Sequence, residues 1–401
     1  MAGGLVELAH GDPDRTIVSD GTATYSSAAF NERVNRLIDA NRKAGVTAGD
    51  ALAVYASNSA DYVTVTTAAS LGGVSPVPVN VHLQIDEVAY ILGNAAVKAL
   101  FVGPAQAEVG RAAAAQAGVP LVYTMDDDLE RHIGTGDPVE PAPETPYASP
   151  IYYTSGSTGR PKGTRMSQVM TGVPVDAVVS GMKKQLASNG LDASTIHLVQ
   201  GPLYHAAPLG MANFTLIVGG VCHVMPSFEP EEALRLIERH AVTSSIMVPT
   251  MFVRLLRLPD EVKGRYDLSS LKLVIHTGAI MPTDVKRGMI DWWGPVLVDG
   301  YGASELGVVC QIGSEEWLRK PGSVGPCPPS PWRSSVRTVT SSRPARWGRS
   351  TSRASPTSTS ATSVSRRRQR ASTGRPSSSR SATWAGSTTT GTCSLPTGAT
   401  T

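Results

Sequence analysis

Short apolar runs alternate with helix-length segments through most of the chain, and this alternation constrains the fold more than any other feature. Residues 51–55 (ALAVY), 74–79 (VSPVPV), 99–102 and 121–123 read as strands. Between them, 60–71, 85–93 and 108–116 read as helices, with Gly93 and Asn94 expected to cap the second. Residues 23–48 read as strand, turn and helix, because Phe30, Val34, Leu37 and Ile38 recur at helical spacing. A strand that is apolar throughout is buried on both faces, which helices on both sides of a parallel sheet provide. The pattern predicts a doubly wound α/β architecture. A Pro-rich stretch at 137–150 (DPVEPAPETPYASP) reads as a linker. Beyond it the alternation resumes, with strands at 151–153, 196–199, 221–224, 245–248, 272–276 and 297–300. The helices between them fall at 166–186, 211–218, 230–240, 250–256 and 281–289. Two α/β subdomains, 1–145 and 146–326, are expected, followed by a low-complexity tail at 327–401.

That tail changes the meaning of the overall charge. The 401 residues carry a formal net charge of +3. Residues 331–401 hold 12 Arg, 18 Ser and 15 Thr but no Lys, Asp or Glu. The remaining 330 residues therefore carry 24 basic against 33 acidic groups, a net of −9. A mildly acidic body argues against unspecific binding of nucleic acid. The four cysteines are far apart and form no C-x-x-C pair, so no zinc or redox motif is indicated. The first residues have neither a basic start nor a long apolar run, and no stretch approaches the ~18 apolar residues of a spanning helix. A cytoplasmic location with no transmembrane segment is the expectation. Oligomeric state is not legible.

The strongest chemical signal follows the strand at 151–153. Thr154-Ser155-Gly156-Ser157-Thr158-Gly159-Arg160-Pro161-Lys162-Gly163 combines three glycines, four hydroxyls and a lysine. Glycines let backbone N–H groups converge on one point, hydroxyls donate to phosphate oxygens, and Lys162 adds a mobile positive charge. Each charge-assisted bond contributes ~1.5–3 kcal/mol. This differs from the loop of the P-loop NTPases, because Lys162 precedes Gly163 and no Ser or Thr follows to hold magnesium. A second cluster, Asp299-Gly300-Tyr301-Gly302-Ala303-Ser304-Glu305, places an aromatic ring, a hydroxyl and carboxylates behind a strand. Alone it would equally suit a glycine turn.

In these segments the chain resembles the adenylate-forming superfamily of acyl-CoA ligases, luciferases and nonribosomal peptide adenylation domains. Thr154–Gly163 matches that family's phosphate loop at every position, and the second cluster matches its Tyr-Gly-x-Ser/Thr-Glu segment in the same order. The resemblance implies that Thr154, Ser155, Gly156, Ser157, Thr158, Gly159 and Lys162 clasp the ATP β- and γ-phosphates. It implies that Tyr301 packs on adenine, that Asp299, Gly300 and Gly302 belong to the same nucleotide segment, that Ser304 contacts the α-phosphate, and that Glu305 holds Mg²⁺. One Glu is chemically sufficient, since magnesium takes one or two carboxylates plus phosphate oxygens. Gly278 and Ala279, in HTGAIMP, resemble the backbone that lines the adenine pocket. Pro202–Pro208 (PLYHAAP) resembles the acyl-CoA ligase segment whose histidine, here His205, lies beside the carboxylate and acyl site. Lys162, Ser304, Glu305 and His205 are the candidate catalytic residues. Apolar residues near the expected substrate pocket (Ala207, Leu209, Met211, Ile280) favour a plain carboxylic acid over an amino acid.

The implied protein is an ATP-dependent carboxylate–CoA ligase acting through an acyl-adenylate, with ATP, Mg²⁺, coenzyme A and a small carboxylic acid as cofactor and substrates. A nonribosomal-peptide-type adenylation domain and a nonenzymatic nucleotide-binding remnant remain as alternatives. The resemblance covers roughly 15–326 and stops there. The family's β-rich segment with its ribose-binding Asp, its hinge and its C-terminal lid with a catalytic Lys are not legible, so the chain is expected to be truncated and impaired. Reverse translation of 340–352 and 381–397 with GC-rich codons, read two nucleotides later, permits ELPAGEVGEIYF and GDVGWLDDDGYLFLTDR. Both resemble the missing family segments, in the same offset and in family order. A reading-frame slip between Gly325 and Pro331 is therefore expected.

Overall fold

The computed structural model describes residues 3–154, 161–165, 170–187, 189–303, 307–326 and 392–394. Two main sheets carry the fold. The smaller holds β3 (Ala51–Tyr55), β4 (Ser75–Pro78), β5 (Val97–Val102) and β6 (Leu121–Thr124), following β1 (Thr16–Ser19) and β2 (Thr24–Ser26) in the chain. Its order is β4-β3-β5-β6, all parallel. Every residue of β3 and β4 is buried. Ala53, Tyr55, Leu100 and Val102 pack on one face under helices Ile85–Asn94 and Ala107–Ala117. Leu52, Val54, Ala99 and Phe101 pack on the other, under helices Ser27–Lys43 and Ala60–Leu71. Ser26 and Ser59 cap those last two helices by accepting from Ala29 N and Tyr62 N, which satisfies backbone donors that have no partner within the helix.

A separate antiparallel hairpin, β7 (Ile151–Thr154) with β8 (Lys162–Arg165), comes next. Then follow β9 (Ile196–Val199), β10 (Val221–Val224), β11 (Ser244–Met247), β12 (Leu273–His276), β13 (Leu297–Ala303) and β14 (Gly307–Gly313). The larger sheet has eight strands in the order β14-β13-β12-β11-β9-β10-β1-β2. Its six central strands are parallel, and β14 and β2 close its edges antiparallel. Helices Pro230–His240, Pro249–Leu256 and Thr283–Trp293 cover one face, and Val175–Ala187 and Ala206–Ile217 lie on the other. Beyond it, β15 (Ser323–Pro326) pairs antiparallel with β16 (Thr392–Ser394). The rest of the tail lies outside the described residues.

Several expectations change. β1 and β2 belong to the large sheet beside β10, so the sheets do not divide at one position in the chain. The strand at 151–153 joins β8 and no parallel sheet. The helix expected at 166–186 is Val175–Ala187, because Pro174 lacks an N–H and biases the residue before it towards extended backbone. Gly93 and Asn94 lie inside their helix, and the chain leaves through Ala95 and a left-handed Ala96 (φ 49°). The linker is packed in its second half. Tyr147, Ala148 and Ser149 are buried, and Tyr147 N and Ala148 N donate to Val173 O (2.8 Å) and Ser70 O (3.0 Å). Buried backbone must find such partners, and these tie the two halves together.

Candidate nucleotide site

The hairpin β7–β8 is the stem of the hydroxyl-rich loop. Thr154 and Lys162 are register partners at its open end, so the loop leaves and returns between adjacent strands. Ser155, Gly156, Ser157, Thr158 and Gly159 lie outside the described residues. Period-two alternation anchors the stem. Ile151 and Tyr153 pack on the Val77 side of the small sheet, and Tyr152 is buried in the opposite core. Three side-chain bonds hold it there. Tyr153 Oη donates to Asn94 Oδ1 (2.6 Å), Tyr90 Oη to Pro161 O (3.2 Å), and Arg165 Nη1 to Ser75 Oγ (2.6 Å). Burial pushes the Tyr153 phenol up to about 12, so it stays a donor at neutral pH. Gly163 lets the Tyr153 ring opposite pack closely, since a Cβ there would lie 3.0 Å from it and push it back by a few tenths of an ångström. Lys162 is exposed.

The second motif sits where β12 of the large sheet ends beside β13, which runs on to Ala303. His276 on β12 and Asp299 on β13 are register partners. Gly278 follows with φ +89°, a left-handed turn that brings backbone, not side chain, to the sheet end. Ala279 and Ile280 are exposed beside it. Gly300, half-buried Tyr301 and exposed Gly302 continue β13, with an irregular register between Tyr301 and Gly302. Ser304 and Glu305 lie outside the described residues.

Asp299 points towards the helical face. Its Oδ2 is 2.7 Å from Lys286 Nζ and its Oδ1 is 3.3 Å from His276 Nδ1. Lys286 is fully buried, with its ammonium 4.4 Å from the centre of the Trp317 ring. Burial alone would raise the Asp299 carboxyl, but His276 and Lys286 hold it below the usual carboxylate range. Burial draws Lys286 below the usual lysine value, and Asp299 offsets part of that. Sequence reading missed Lys286 and His276. A signal for Lys286 exists, because it shares the buried stripe of its helix with Met289, Ile290 and Trp293 at three-, four- and seven-residue spacings.

His205 lies elsewhere on the large sheet, at the residue that precedes helix Ala206–Ile217. Its ring packs on Tyr204 with centroids 4.6 Å apart. The approach to it is fixed by Asn58. Asn58 Nδ2 donates to Gly201 O (2.9 Å) and Met225 O (3.1 Å), and Oδ1 accepts from Leu203 N (2.8 Å). Asn58 was not legible as a site support, since its partners lie more than 140 residues away. Leu209 and Met211 are buried in the cores, whereas Ile280 is 70% exposed.

Residues 5–335 match the family described as AMP-binding enzyme. The chain belongs to that family. It is 31% identical over 307 residues to a feruloyl-CoA synthase of Amycolatopsis sp, covering 75% of this chain and 58% of that protein. It is 28% identical over 316 residues to the long-chain-fatty-acid–CoA ligase FadD13 of Mycobacterium tuberculosis, covering 77% of this chain and 60% of that one. The chain thus spans less than two thirds of these relatives. The inhibitor-bound N-terminal domain of FACL13 from Mycobacterium tuberculosis superposes with a TM-score of 0.70 at 26% identity, covering 80% of this chain and 81% of that domain. The doubly wound α/β expectation therefore holds at the level of the fold. No helix among the described residues is long and apolar enough to cross a membrane.

Proposed function

We propose that this AMP-binding enzyme activates a carboxylic acid with ATP and passes the acyl group to the thiol of coenzyme A. The observation that carries the reading is the β7–β8 stem, with exposed Lys162 beside Thr154 at the mouth of a glycine- and hydroxyl-rich loop. Similarity to proteins named as CoA ligases supports it. The substrate carboxylate attacks the α-phosphorus of ATP. The bond to pyrophosphate breaks, and an acyl-adenylate forms. The coenzyme A sulfur then attacks the acyl carbon, and AMP leaves.

In the first step Lys162 and the loop would hold and partly neutralise the phosphates, which is positioning and charge stabilisation. The left-handed turn at Gly278 and the segment Gly300–Gly302 would admit a planar base against Tyr301. Asp299 faces the helices through its ion pair, so its proposed share in nucleotide binding runs through the backbone of β13. Ser304 would meet the α-phosphate and His205 the carboxylate end of the acid. Glu305 is the proposed magnesium ligand. The described residues hold no group of three or more His, Cys, Asp or Glu suited to a metal. A single carboxylate with substrate phosphates is a fitting donor set for magnesium, whose charge would offset that of the phosphates. Fatty and aromatic acids are the proposed substrates.

ATP–pyrophosphate exchange with a panel of acids tests this. Exchange is expected with fatty or hydroxycinnamic acids. Exchange with amino acids alone would replace the reading with a peptide-type adenylation domain. ATP binding without exchange for any acid would leave a noncatalytic nucleotide-binding protein. The break in composition near residue 330 also supports a reading-frame slip. Resequencing the coding DNA across codons 325–331 is expected to reveal an added or missing base, and an unchanged frame would overturn that part.

A further inference from the structure

A fully buried lysine is rare, and this one stands where the two edges of the proposed base pocket meet. His276 is two residues before Gly278, and Asp299 is two before Tyr301. Lys286 lies on helix Thr283–Trp293, which connects those two strands and begins after Met281-Pro282. One cluster therefore ties together the end of β12, the middle of β13 and the helix between them. The register pair His276–Asp299 joins the last residue of β12 to β13, which continues through Gly300–Gly302 to Ala303. The Lys286–Asp299 contact at 2.7 Å holds that pair from the helix side, and Trp317 closes over the ammonium. Lys286 Nζ has no other hydrogen-bond partner among the described residues, and His276 Nε2 has none. The surrounding core is apolar, with Met247, Phe252, Met289 and Leu297. Replacing such an ion pair with apolar groups is often neutral or stabilising, so stability alone does not account for it.

We infer that Lys286 is a positioning residue for nucleotide binding: through Asp299 it fixes the relative heights of the Gly278–Ala279 and Gly300–Gly302 segments. The inference rests on the reading of those segments as the base pocket. It is tested by titrating ATP into the full chain and its Lys286→Met, Lys286→Arg and Lys162→Ala variants, each with a melting curve. Lys286→Met is expected to weaken ATP binding by the folded protein about tenfold; because it leaves the buried Asp299 without its cation, its melting temperature is also expected to fall by several degrees. Lys286→Arg is expected to recover part of the loss, because it restores the charge facing Asp299. A Lys286→Met protein with undiminished ATP affinity overturns the inference, as does an Arg variant no better than Met. If Lys286→Met does not fold, His276→Leu removes the other partner of Asp299 and is expected to weaken ATP about threefold; unchanged affinity there also overturns it. Lys162→Ala separates the two readings. Loss of affinity in Lys162→Ala but not in Lys286→Met sinks the positioning role alone. Unchanged affinity in Lys162→Ala sinks the nucleotide-site reading itself.

Discussion

The two main sheets are built from the same strand–helix unit but bury different things. The strands of the small sheet bury few polar side chains, and these bond outside the sheet: Ser75 Oγ accepts from Arg165, Thr124 Oγ1 from Arg111, and the Tyr55 phenol donates to Leu83 O at 3.0 Å. The large sheet buries a series of polar pairs. Ser19 Oγ meets His223 Nδ1 at 2.7 Å, His197 Nδ1 meets Ser244 Oγ at 2.7 Å, and His276 meets Asp299. In each case the two residues are also register partners on adjacent strands. The small sheet joins strands close in sequence, where apolar packing suffices. The large sheet must bring β1 beside β10 and β9 beside β11, across long stretches of chain. A buried polar group costs ~1–3 kcal/mol when unpaired, so a one-residue slip there is penalised more than in a dry sheet. The lesson is a division of labour. One sheet packs, and the other specifies register and carries the strand ends on which the proposed base pocket stands.

Three experiments would break or sharpen that contrast. The largest effect is expected for Phe101→Ala, which removes a fully buried ring from the small sheet. It should lower the unfolding free energy in urea by about 3–5 kcal/mol and leave the ATP affinity of folded protein unchanged. A specific loss of ATP affinity would contradict the division.

The next is a pH dependence of the large sheet. Burial holds His197 down to about 4, and burial with His240 and Arg239 nearby holds His223 at about 4. Both are neutral when folded, while the unfolded chain takes up protons near pH 6.5. Their stability contribution is therefore complete above about pH 6.5 and falls as pH drops towards 4, by about 3 kcal/mol for each histidine. Urea unfolding of the parent against a His197→Asn/His223→Asn variant should show this as a difference between their pH slopes. Parallel slopes would remove the special status of the large sheet.

The smallest effect is expected for Tyr153→Phe, which deletes the bond from the loop stem to Asn94. It should cost about 1 kcal/mol of stability and weaken ATP by roughly fivefold. No change in either would mean that the stem is held by its backbone pairing alone.

What was legible follows the same division. The runs at 51–55, 196–199 and 221–224 are strands with those bounds, because they are short, mostly apolar and start directly after Asp50, Thr195 and Gly220. Helix Gly3–Gly11 was hidden by its two leading glycines, and β1 by having only two apolar residues, Ile17 and Val18, between Thr16 and Ser19. β14 went unread because Gly307 and Gly313 bound an edge strand paired only with β13. At the site, the motif put Thr154 and Lys162 in one segment, but their pairing across the β7–β8 stem was not legible, since the polar, glycine-containing run Lys162–Arg165 carries no strand pattern. The burial of Lys286 was readable from its helix stripe, but its contact with Asp299, like the contacts of Asn58, is one that only the folded chain creates.

The most direct test of the central claim is a calorimetric titration of ATP into the 401-residue chain and into its Lys162→Ala/Glu305→Ala variant. The account predicts saturable binding to the parent and a loss of at least about tenfold in the variant. Equal binding by both proteins would contradict it.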